Sequence, residues 1–166
     1  MKTNQRNSRP VLTQTQNNTT LWIGQLQSDP NGRLAGQTFQ CPSEGVLNNI
    51  QVFSTAVSQE GEVILTLHEF DTASKTWGPA IAESRFTVEK RNEAHWISFE
   101  LDPMHLQKDK VYGFRLKSDN ALIGIGEAAS HAQQPFSGHA WNSRSENGQG
   151  NFYRYFSLAY KVEMSA

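Results

Sequence analysis

Three segments of this chain alternate apolar and polar side chains with a period of two. In GEVILTLHEF, Val63, Leu65 and Leu67 fall on one face and Glu62, Thr66 and His68 on the other. In HWISFEL, Ile97, Phe99 and Leu101 alternate with Trp96, Ser98 and Glu100; in VYGFRLK, Tyr112, Phe114 and Leu116 alternate with Val111, Gly113, Arg115 and Lys117. A strand sends successive side chains to opposite faces, so each segment reads as a half-buried strand. Weaker strand signals lie in LWIG, GQTFQ, NIQVFST, SRFTVE, ALIGIG, GHAWNS and YFSLAYKVE. Turn-forming stretches separate them, among them DPNG, CPSEG, QEG, WGP, KSDN and ENGQG. Many short strands with closely spaced turns and no convincing helical period predict an all-β fold, a two-sheet antiparallel sandwich or a barrel.

The length of 166 residues suits one domain with a substantial core. Residues 1–20 are rich in Asn, Gln, Thr, Ser and Arg, with Val11 and Leu12 their main apolar side chains. Such a segment buries too little to offset its ordering entropy, so a flexible polar arm is expected over 1–20 and a single β domain over 21–166. Residues 1–83 carry five Lys/Arg against seven Asp/Glu, and residues 84–166 carry ten against nine. Neither half is basic enough to draw in phosphate backbones or anionic lipid, which disfavours nucleic acid as a partner. No apolar run approaches a membrane span, so membrane insertion is not expected. MKTNQRNSRP lacks the apolar stretch of a signal peptide, and the compartment stays open.

The sequence carries a family resemblance in three places. GQTFQCPSEGVLNNIQVF is a strand, a Pro/Gly turn and a second strand. Leu106, Tyr112, Phe114 and Leu116 form an L-x5-Y-x-F-x-L pattern, and PFSGHAWNS is a polar loop answered by a closing YFSLAYKV strand. Together these resemble the jelly-roll β-sandwich accessory modules of secreted bacterial glycan-active and surface proteins, which are carbohydrate-binding-module-like domains. The resemblance spans residues 34–163. It implies a non-catalytic module that binds a glycan or polysaccharide, at the cell surface or outside the cell.

Candidate chemistry elsewhere is sparse. Cys41 is the only cysteine, so no internal disulfide forms, and no local base activates it as a nucleophile. Glu69 and Asp71 share a strand face, as an acid–base pair would. Thr72, Ala73 and Ser74 follow where jelly-roll glucanases carry a third carboxylate, so the pair reads as solvated strand-end acids. The five histidines form no His-x-His pair of the metal-binding kind, although His131 and His139 lie eight apart across one loop. Ser130 and Ser137 sit beside histidines without the G-x-S-x-G turn of a hydrolase. Gly124 and Gly126 lack the third glycine and the following helix of a dinucleotide loop. No cofactor is implied. A structural calcium stays open, since Asp29, Asp71, Asp102, Asp119 and Glu146 lie in predicted loops or strand ends, and no ligands are assigned.

The aromatic residues carry the functional expectation. Sugars pack C–H faces on aromatic rings and engage planar amides, carboxylates and guanidinium groups, so an exposed Trp or Tyr beside Asn or Arg is the pattern sought. Trp141 precedes Asn142 and Arg144, while Tyr153 and Tyr155 flank Arg154. Trp77 lies in the predicted turn KTWGP, and Trp96 opposes the Ile97–Phe99–Leu101 face. The competing reading for each is core packing. On the last strand, Phe156, Leu158, Tyr160 and Val162 share the core face, which places Tyr153 and Tyr155 with Ser157, Ala159 and Lys161 on the wetter side. The expected glycan site is therefore the 139–155 loop and its flanks, with Trp141 and Tyr155 as stacking rings. The alternatives are a structural or adhesive subunit whose 1–20 arm laces onto a neighbour, and, third, a glycan-active hydrolase; the oligomeric state stays open.

Overall fold

Strand after strand in this chain sets β-branched and large apolar residues against polar ones, and the result is almost entirely antiparallel β structure. The computed structural model describes residues 8–26, 29–130, 138–144 and 150–165, with the backbone alone for 25, 26 and 29–32. In chain order the strands are β1 (Arg9–Gln14), β2 (Thr19–Leu26), β3 (Asp29–Gln40), β4 (Gly45–Gln59), β5 (Gly61–Asp71), β6 (Thr76–Val88) and β7 (His95–Leu106), followed by β8 (Val111–Lys117), β9 (Leu122–Ala129), β10 (Ala140–Ser143), β11 (Asn151–Tyr153), β12 (Phe156–Leu158) and β13 (Tyr160–Ser165). A 3-10 turn at Lys90–Asn92 is the only helix among the described residues. The segment MHLQKDK forms the end of β7 and a tight turn into β8.

The strands run β1-β13-β4-β9-β2-β3-β8-β5-β6 in one curled sheet, with β7 on the other edge of β4. The curl brings β6 against β7 without a ladder between them. Inside lies one core of the inward rows: Val63, Leu65 and Leu67 of β5, Tyr112, Phe114 and Leu116 of β8, and Ile97 and Phe99 of β7. All three clear alternations therefore point as the sequence predicts.

Two expectations are corrected. Residues 9–14 are not an arm: β1 pairs with β13, Leu12 opposite Val162, and Val11 and Leu12 pack on the core. Apolar content understated this segment because ladder hydrogen bonds, not burial alone, hold an edge strand. The domain also starts before residue 21, since Thr19 and Thr20 already pair with β9. The last strand is really two. β12 pairs with β9 and β13 with β4, with Ala159 between them. Ser157 and Ala159, expected on the wetter face, are buried at 1% and 0% exposure because the chain changes partner there.

Candidate functional site

Trp141 is 1% exposed, which removes it as a stacking platform for a ligand. It belongs to a second aromatic cluster, on the outer face of β5, β8 and β3. Its ring meets Trp77 edge-on at 5.4 Å and Phe152 at 6.5 Å, while Trp77 also packs on Phe70 and His68. The Arg115 guanidinium lies over both indoles, 4.5 Å from Trp141 and 5.6 Å from Trp77. Trp77 is accordingly not in a turn but in β6, half-buried, with its indole N–H buried and without a hydrogen-bond partner. The cluster has a glycine floor. A Cβ at Gly113 would stand 2.6 Å from the Trp77 ring, and one at Gly36 3.0 Å from Trp141. His68 is neutral here: its Nδ1–H donates to the Gly78 carbonyl at 2.8 Å, leaving Nε2 to accept from the Thr66 hydroxyl at 2.7 Å. Burial, then the Arg115 charge, hold its imidazole below the ordinary range against the opposing Gly78 bond.

Asn142 and Arg144, by contrast, lie in a cleft. The cleft exists because β3 changes partner along one edge. Its first half pairs with β2 as far as Gly24 opposite Arg33, and from Leu34 onward β10 takes that edge, Ser143 opposite Leu34. β8 holds the other edge through Ala35–Gln40. Meanwhile β2 pairs with β9, so β2 and β10 part like the arms of a fork. The opening has a volume of about 500 Å3 and is lined by Trp22, Arg33, Asn142, Arg144, Gly150 and Asn151 among others. Gly150 has φ +64°, and a Cβ there would stand 2.4 Å from the Trp141 indole nitrogen, so the buried ring sets this wall of the cleft.

The aromatic of this site is Trp22, 39% exposed, which sequence reasoning passed over. Its ladder partner is Gly124, and the Thr20 and Thr55 side chains close over the place a Gly124 side chain would take. The signal was present: in LWIG, Leu21 and Ile23 flank Trp22, and period two turns the indole away from the buried Ile23. Arg33 and Arg144 are exposed, and no Asp or Glu is among the described residues lining the cleft.

The other expected residues do not join this cleft. Tyr155 is 46% exposed, but its carbonyl accepts from Ser130 N–H beyond the far end of β9. Tyr153 is half-buried and set edge-on to Phe156 at 5.7 Å; Arg154 is exposed. Trp96 is half-buried on another part of the outer surface, edge-on to Phe53 at 5.4 Å, with the Lys161 ammonium 4.2 Å over its ring. The acids are committed elsewhere. Glu69 accepts from Lys110 Nζ at 2.6 Å, and Asp71 accepts from the Ser74 and Ala73 N–H groups, which hold its carboxyl below the usual range. Cys41 is fully buried, and burial pushes its thiol up, opposite to what a nucleophile needs. Gly124 and Gly126 lie mid-strand in β9. Among the described residues no three His, Cys, Asp or Glu converge, and no helix is long and apolar enough to cross a membrane. His131, Ser137, Glu146 and the Asp29 side chain lie outside the described residues.

No family model and no curated protein matches the chain. Among solved structures it is similar to the clostridial cysteine protease Cwp84 after propeptide cleavage, with a TM-score of 0.57 and 11% identity over 96% of this chain. The chain spans 41% of that protein's length. At this identity the likeness is one of fold alone.

Proposed function

We propose that this chain is a non-catalytic module of jelly-roll sandwich type that binds a carbohydrate in the fork between β2 and β10. One observation carries the reading: the exposed Trp22 shares a cleft with the planar amides of Asn142 and Asn151 and the guanidinium groups of Arg33 and Arg144. The indole face takes the C–H side of a sugar ring, and the amide and guanidinium groups take its hydroxyls. A volume of about 500 Å3 lies within the roughly 300–1,000 Å3 typical of small-molecule sites. Support for binding without cleavage comes from the two acids most suited to catalysis, Glu69 and Asp71, each engaged in local hydrogen bonds. The adhesive alternative rested on a free arm, and residues 9–14 of that arm pair within their own sheet.

The test is affinity electrophoresis and array binding against a panel of neutral and acidic polysaccharides. The parent chain is expected to be retained by at least one of them, Trp22→Ala to lose that retention about fivefold or more, on the scale of the roughly 1–3 kcal/mol of a base stacked on an aromatic ring, and Trp96→Ala to keep it. Retention unchanged in Trp22→Ala, or absent for the parent on every glycan, overturns the reading.

A further inference from the structure

A second and smaller cavity lies at the opposite end of the β10–β11 hairpin, with a volume of about 240 Å3. Its apolar wall is built from three different strands: Phe70 from β5, Val111 from β8 and Phe152 from β11. The Phe70 and Phe152 rings pack at 5.3 Å, and the His139 imidazole stands edge-on to Phe152 at 6.5 Å. Thr38 anchors that side, its hydroxyl accepting from the His139 N–H at 2.9 Å and its own N–H donating to the His139 carbonyl at 2.9 Å. Lys75 reaches the cavity from the β5–β6 turn.

Among the described residues lining this cavity, Lys75 is the charged side chain and none is Asp or Glu. Neither Lys75 nor Arg154 makes an ion pair among the described residues. Both stand close enough to His139 that, after burial, their charges hold its imidazole below the ordinary value, so the ring is neutral and offers one N–H donor. Of the acids near Lys75 in sequence, Glu69 is paired with Lys110, while Asp71 stays ionised, accepts from the Ala73 and Ser74 N–H groups and is not among the lining residues. The seven residues preceding Gly138, HAQQPFS, contain no acid. A cation without an ion pair among the described residues, beside a wall of aromatic and aliphatic carbon, attracts a ligand with both characters.

We propose that this cavity binds a small carboxylate carried on a single ring, with the ring against Phe70, Val111 and Phe152 and the carboxylate toward Lys75 and the His139 imidazole N–H. Its size sets the class, because about 240 Å3 falls below the roughly 300 Å3 at which drug-sized sites begin. The site is separate from the Trp22 cleft, and the two share no lining residue.

The experiment is ligand-observed NMR titration of the full chain with phenylacetate, benzyl alcohol and benzylamine, which share a ring and differ in charge. Phenylacetate is expected to bind saturably, benzyl alcohol at least tenfold more weakly, and benzylamine not at all. Lys75 has φ 54°, a left-handed conformation that asparagine tolerates, so Lys75→Asn removes the charge and keeps the turn. It is expected to weaken phenylacetate roughly tenfold, the scale of a hydrogen bond to a charged group, with an unchanged urea midpoint. Trp22→Ala is expected to leave phenylacetate binding as it was. Equal binding of the alcohol and the carboxylate, no effect of Lys75→Asn, or no saturable phenylacetate binding each overturns the proposal.

Discussion

Glu127, near the end of β9, is 8% exposed, and its Oε1 accepts from the Thr19 hydroxyl at 3.1 Å. Burial pushes its carboxyl above the ordinary glutamate range, and the Thr19 bond opposes this with smaller effect. From about pH 4.3, the ordinary glutamate value, up to the raised value, the folded chain keeps a proton that the unfolded chain has released. Stability therefore falls as pH rises through that window. Glu127→Gln keeps an acceptor for Thr19 and removes the titration. Its urea midpoint is expected to exceed the parent's at neutral pH, and its midpoint–pH curve to be flatter over the window; a midpoint below the parent's at neutral pH would show the charge to be stabilising. Legibility at this scale was uneven. Asn142 and Arg144 line the cleft, and the sequence marks them because polar residues beside a tryptophan suggest a ligand surface. The tryptophan itself was misassigned, because Trp141 pairs with Gly36 and the empty position lets the ring fold down onto the sheet.

Between strands, the glycines opposite the indoles decide where the outer aromatic cluster sits. Gly113 pairs with Thr38 of β3 and His68 of β5, and the Trp77 ring occupies the space its side chain would fill. Gly113→Ala is expected to cost about 1–3 kcal/mol, the range for overpacking a well-filled site, measured by urea denaturation. A change within error would mean that Trp77 moves freely. Period two read β5, β7 and β8 correctly, since one face of each meets a single large core. The same rule cannot see a second cluster on the opposite face, where Thr66, His68, Arg115 and two glycines look like a solvated row until Trp77, Trp141 and Phe152 cover them. It also cannot see that β12 and β13 belong to different partners, because an unbroken apolar alternation carries no mark of a partner exchange.

Across the whole molecule, the edge beside β13 is closed by β1. Deleting residues 1–14 would leave the β13 edge with unpaired N–H and C=O groups and uncover the core beside Val11 and Leu12. The shortened chain is expected to lose about 2 kcal/mol or more, from two half-buried aliphatic side chains and their ladder, and to form soluble oligomers seen by light scattering. A monomer of parental stability would show β1 to be dispensable. The partner change of β3 is a property of the same scale. Alternation and turn chemistry determined from sequence alone that the chain is antiparallel β, which rows face the core, and that aromatic and polar residues gather around 139–155. Those are local facts, set by the pleat and by the dihedral preferences of Gly, Pro, Asn and Asp. Only the tertiary structure decided that Trp22, more than a hundred residues away in sequence, lines one cleft with Asn142 and Arg144, and that Trp141 is buried. The reason is physical: a cleft at a fork depends on where β3 exchanges β2 for β10, and strand pairing at that separation is chosen by the packing of the whole sheet.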